Sequence, residues 1–219
     1  MPTYVVRLWL PDRPGALGSV AGRIGAVRGD LVGIDILERG AGRAIDELVV
    51  ELPEAGLVPL LVKELHEVDG VDVEEVRPVA TEGRPDPRLA ALETAATIVA
   101  QRHPADVLEV LAHGASREFE CDWVAVADVR RGVIAASVGE CPPSGWVLAF
   151  AGGVTATAAT GDVAWASLAT ADMTLVVGRP GRALRSVERK QLAALAGIAD
   201  VRWAELGRRG ALAAHPSAI

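Results

Sequence analysis

Apolar residues fall into short blocks up to Val79, and glycine or proline punctuates the boundaries. Residues 4–10 form a β-branched and aromatic run of strand length, which Pro11-Asp12-Arg13-Pro14-Gly15 ends with a forced turn. Behind the turn Leu17, Val20, Ala21 and Ile24 recur at i, i+3, i+4 and i+7, which predicts a helix over 14–28 with one buried face. Strands follow over 31–39 and 44–52, joined through Gly40-Ala41-Gly42. Leu57, Leu61, Leu65 and Val68 mark one face of a second helix over 57–68, Gly70 ends it, and 71–79 is a fourth strand. The order βαββαβ predicts a ferredoxin-like sheet with both helices on one face.

Residues 81–87, Thr-Glu-Gly-Arg-Pro-Asp-Pro, are polar and rich in Pro and Gly, and are expected to be a linker. Two helices are predicted beyond it, over 88–102 and 105–119, broken at His103-Pro104. Residues 123–129 and 133–138 read as a strand pair turned at Arg130-Arg131-Gly132. The stretch 139–161 shows no clear period. Two more strands are expected over 163–170 and 173–178, then a closing helix over 186–203 with Leu192, Leu195, Ala199 and Trp203 on its apolar face. A frayed, flexible tail is expected over 207–219. The predicted organisation is a domain over 1–80, the linker, and a second domain over 88–206. The fold class is α+β.

Composition narrows the function classes. At 219 residues there is room for two ordinary domains. Apolar residues make up 50% but aromatics only 4%, so the cores must rest on Val, Leu and Ile. A formal charge of −7 argues against a nucleic-acid footprint, and the most apolar window is broken by Gly, Thr and Asp, which makes a poor membrane span. No signal-peptide pattern opens the chain. Cys121 and Cys141 follow no metal-ligand spacing and are expected to be thiols in a reducing compartment, which points to the cytoplasm.

The strand-to-helix turn is the strongest candidate for chemistry. A helix entered through a tight turn aims unpaired backbone N–H groups at that turn, where an anion can sit. Asp12 beside it offers an acceptor for an ammonium group, so one short loop could hold both ends of an amino acid. The structural alternative is that Asp12 only caps the helix, Pro14 pre-sets its first turn and Gly15 relieves crowding. Gly18, Gly22 and Gly25 lie on another face of the helix and suit close approach of a neighbouring helix or strand, with a dimer contact as the alternative. His66, His103, His113 and His215 form no metal-ligand pair, and no acid, base and nucleophile constellation points to an enzyme. Arg179, Arg182, Arg185 and Arg189 read as a solvated cationic patch, with contact to an anionic ligand or acidic partner as the functional alternative. Asp72, Glu74 and Glu75 read as an acidic strand edge that discourages sheet pairing.

The βαββαβ order, the run Asp12-Arg13-Pro14-Gly15-Ala16-Leu17 and Gly29-Asp30-Leu31-Val32 together resemble an ACT domain, the small regulatory module that binds amino acids. The resemblance implies a ligand at a subunit interface, held by Asp12, Pro14, Gly15, Ala16, Leu17, Leu31 and Val32. It also implies a homodimer or larger, and a protein partner or second domain that reads the bound state; no cofactor is expected. One departure is plain: Leu31 stands where many amino-acid-binding members carry Asn. The second half, through its helix pair, strand pair and closing strand–turn–helix over 173–200, resembles a GAF domain, which implies an antiparallel sheet with a small-molecule cavity or a dimer contact. The expected function is a non-catalytic sensor of a small molecule, with a regulatory subunit acting by protein contact as the alternative.

Overall fold

The computed structural model describes residues 1–79, 87–153 and 161–214. The chain divides into two compact units, Met1–Pro85 and Asp86–Ile219. The expected linker falls almost wholly outside the described residues.

In the first unit β1 (Thr3–Pro11), β2 (Asp30–Gly40), β3 (Arg43–Glu51) and β4 (Asp72–Val79) form one antiparallel sheet in the order β2-β3-β1-β4. With α1 (Ala16–Ala26) and α2 (Val58–His66) this is the ferredoxin-like order predicted. Period-2 alternation sends Tyr4, Val6, Leu8 and Leu10 into a core with Val20, Ile24, Leu61 and Leu65 from the helices. Both edges behave differently. The β4 edge carries the acidic residues noted above, whereas β2 exposes Val32, Ile34 and Ile36.

Charge is buried here too. Arg7 on β1 is 2% exposed and meets Glu47 on β3 at 2.8 Å, and Arg77 on β4 reaches the same carboxylate at 3.5 Å. The alternation explains it: Arg7 and Glu47 are directly opposed in the β1–β3 register, so one burial requires the other.

The second unit holds α3 (Pro87–Ala100), α4 (Pro104–Glu118), β5 (Trp123–Asp128), β6 (Val133–Gly139), α5 (Ser144–Gly153), β7 (Val163–Leu168), β8 (Met173–Gly178) and α6 (Ser186–Ala214). Its sheet is antiparallel in the order β6-β5-β8-β7. Central β5 is buried along its length, with Val124 and Val126 in the core shared by α3, α4 and α6, and Trp123, Ala125 and Ala127 in the core under α5.

Three expectations are corrected. Helix α5 occupies the stretch that shows no period. Its residues are apolar on every side, so no stripe marks it, yet Val147 and Ala151, one turn apart, seat it against the sheet. Trp146 stacks on Phe150 at 5.4 Å and meets Trp123 edge-on at 6.1 Å, which fixes its outer side. Helix α6 continues through Ala214, well past the expected end at Trp203. The arginine cluster is no solvated face. Arg179 is 2% exposed, donates to the carbonyls of Phe119, Arg182 and Ala183, and pairs with Glu188 at 2.6 Å, while Arg182 pairs with Glu120 and Arg189 donates to Leu184 and Val163 carbonyls.

Arg179 therefore joins four segments of the second unit. Arg179→Ala would leave the Glu188 carboxylate buried without its cation, and should cost about 3–5 kcal/mol in urea denaturation. A loss under about 1 kcal/mol would contradict the structural role.

Candidate functional site

The candidate loop is built by the end of β1. Pairing with β3 runs to Pro11 opposite Arg43, and the Asp12 N–H then donates to the Gly42 carbonyl in the β2–β3 turn at 2.9 Å. Pro11 also packs against the turn before β4: a Cβ on Gly70 would lie 2.7 Å from the Pro11 ring, and Gly70 has φ of +78°. Glycine is needed there on both counts. Arg43 donates to the Gly70 carbonyl at 3.3 Å and lies 5.2 Å over the Trp9 ring, closing that side.

Helix α1 starts at Ala16, two residues later than predicted, because Gly15 adopts φ of +87° as its N-cap. A Cβ on Gly15 would meet nothing within 4 Å, so backbone conformation and not crowding calls for glycine. Gly18, Gly22 and Gly25 also face open space, which corrects the expectation of a close neighbour within the chain. The Ala16 N–H donates to Arg13 and the Ser19 N–H to Gly15, and no side chain caps the helix. The N–H groups of Leu17 and Gly18 thus have no acceptor among the described residues.

Asp12 does not act as the cap. Its carboxylate is 40% exposed and faces Arg39 at 3.9 Å. Pro14 and Gly15 are exposed, in the turn before the helix. Ala16 is buried, and Leu17 and Leu31 are half-buried against the same first-unit core. Val32 is 51% exposed at an irregularity in the β2–β3 register. The core therefore gathers Ala16, Leu17 and Leu31, while Asp12, Pro14, Gly15 and Val32 stay at the surface.

One residue was not anticipated. Asp46 on β3, opposite Leu8 and Ile36, is 3% exposed, and its Oδ1 has no hydrogen-bond partner among the described residues. Burial pushes its carboxyl upward, Arg39 opposes that, and Asp12 adds to it. The sequence signal is an adjacent acidic pair, Asp46-Glu47, interrupting an otherwise apolar strand.

Burial disfavours the thiolate form of both cysteines. Burial pushes the Cys121 thiol up to about 12, and burial likewise raises that of Cys141, which donates to the Val124 carbonyl at 3.2 Å. Among the described residues no group of three His, Cys, Asp or Glu side chains could hold a metal ion, and no helix is long and apolar enough to cross a membrane.

No protein-family model and no curated protein matches the chain significantly. Solved structures do. The ACT domain of the GTP pyrophosphokinase of Chlorobium tepidum is similar at 18% identity and a TM-score of 0.29, over 36% of this chain and 100% of that one. An uncharacterized protein from Thermotoga maritima is similar at 20% identity and a TM-score of 0.29, over 36% of this chain and 96% of its own. An unknown protein from Galdieria sulphuraria matches 91% of this chain and 92% of its own at 9% identity and a TM-score of 0.33. The structural neighbours thus include an ACT domain. The ferredoxin-like assignment of the first unit rests on its own strand order, and the structures named here lend no support to a GAF domain in the second.

Asp46 gives a test by pH. A carboxyl whose folded value is raised binds its proton more tightly in the native state, so stability falls as pH rises from the unfolded value, near 3.8, through the raised one. Asp46→Asn removes that charge. It should raise the unfolding temperature by a few degrees at pH 7, with the gain shrinking as pH falls toward 3.8. A pH-independent difference, or destabilisation at pH 7, would contradict the assignment.

Proposed function

We propose that the first unit is a non-catalytic sensor that takes an amino acid at the β1–α1 turn, next to a contact with a second copy of the chain. The observation that carries this reading is the pair of Leu17 and Gly18 N–H groups without acceptors, beside an Asp12 carboxylate that caps nothing. An α-carboxylate would accept from the two amides, helped by about 0.3–1 kcal/mol from the helix dipole. The α-ammonium would pair with Asp12. Leu17 and Leu31 offer apolar contact and no side-chain amide, which favours a ligand with an apolar side chain. The apolar residues Val32, Ile34 and Ile36 exposed on edge strand β2 support a contact beside the start of that strand, where the site would be completed. The mechanism is linkage: a ligand that binds one subunit arrangement better shifts the chain toward it, and the GAF-like second unit or a partner reads the change.

The same exposed β2 residues favour a second reading, a regulatory subunit that uses this edge to touch an enzyme or regulator without any ligand. Thermal unfolding with each of the twenty amino acids separates the two. A ligand at 100 times its dissociation constant adds about 2.7 kcal/mol of stability. At least one amino acid at millimolar concentration should raise the unfolding temperature, and Asp12→Ala should abolish the rise. Absence of any shift overturns the sensor in favour of the subunit, and a shift retained in Asp12→Ala moves the site elsewhere.

A further inference from the structure

Helices α3 and α6 are apolar on faces their own unit does not cover. On α3, Leu89, Leu92 and Val99 share one side at 52%, 68% and 52% exposure, while Ile98 is buried on the other. Val99 and the α6 residues Ala194, Gly197, Ile198 and Val201 line a groove of about 450 Å³, together with Arg202 and Glu205. Val201 is 67% exposed. A helix apolar on opposite sides is ordinarily covered on both. Gly197 adds an independent oddity. A Cβ there would meet nothing within 4 Å, so the unit does not require glycine, yet glycine in a helix interior costs about 0.5–1 kcal/mol relative to alanine.

The pattern of the stripe says what would cover it. Lys190, Ala194, Gly197, Ile198, Val201 and Glu205 are spaced by 4, 3, 1, 3 and 4 residues, the same from either end. Placed antiparallel to a copy of itself about the Gly197–Ile198 peptide, α6 sets each small residue against a large one: Gly197 against the partner's Ile198, and Ala194 against the partner's Val201. Both ends then bring opposite charges together, Lys190 with the partner's Glu205 and the reverse. Glu205 already meets Arg202 of its own chain at 2.8 Å, which holds a carboxylate in the groove lining. Self-complementarity of this kind is what a two-fold interface needs.

We propose that a second copy of this chain docks here, α6 against α6 and antiparallel, with α3 flanking the seam. The contact is separate from the one invoked at β2 and does not depend on it. Glycine at 197 lets the two helices approach closely, and the charge pairs fix their register and direction.

Sedimentation velocity on the full chain tests it. The wild type should self-associate. Val201→Glu, at a position exposed enough for the fold to tolerate it, should lower the weight-average mass with the circular dichroism unchanged. Lys190→Glu should weaken association about tenfold by setting like charges together at both ends. Lys190→Glu combined with Glu205→Lys should restore it to within about threefold. A monomeric wild type, a Val201→Glu variant that associates as the wild type does, or a charge swap that fails to restore association would each overturn the proposal. A contact at β2, were it the sole one, would leave association insensitive to all three α6 variants.

Discussion

The pairing of β1 with β3 is the constraint on which the candidate site depends. Its register places Arg7 against Glu47 in mid-sheet, a buried match that a one-residue slip would break, and it ends at Pro11 opposite Arg43. From there the chain has little freedom. Asp12 is tied to the Gly42 carbonyl, Pro11 is wedged on Gly70, and Gly15 takes a left-handed conformation before the helix begins. The amino-terminal tip of α1 is therefore aimed by the sheet, not by a cap of its own. Its amides are left available because the loop that positions them supplies no side-chain acceptor.

Asp46 shows the cost of building a site this way. It holds a carboxylate inside the sheet layer with one oxygen unpaired, near Asp12 and Arg39. Buried acceptors without partners are expensive and are retained at few positions in a native fold. Arg7–Glu47 and Arg179–Glu188 follow the opposite logic, each buried charge being matched by an opposite one within 2.8 Å. The contrast sets Asp46 apart from these two pairs.

Much of the fold was legible in the sequence because the residues that set it act locally. The alternation in 4–10, the i, i+3, i+4 spacing behind Pro14 and the turn residues at 40–42 each specify one element, and eight strands follow from such signals. Helix α5 was not legible, since Trp146, Val147, Leu148 and Phe150 are apolar all round and a period needs polar residues to show against. The arginine cluster misled for another reason. Linear spacing gives no hint that Arg179 turns inward to meet Phe119, Glu188 and the β8–α6 turn, a long-range arrangement. At the candidate loop the sequence showed the turn and the helix start. It could not show that Asp12 leaves the helix uncapped, which is a matter of side-chain direction.

The claim at the centre is that two backbone amides at the α1 tip receive a ligand carboxylate. Amide chemical shifts followed by solution NMR during titration with a binding amino acid report on those groups directly. The account predicts that the Leu17 and Gly18 amides move furthest, downfield as their N–H groups gain an acceptor. Unmoved Leu17 and Gly18 resonances, with the large shifts clustered in another part of the chain, would contradict it.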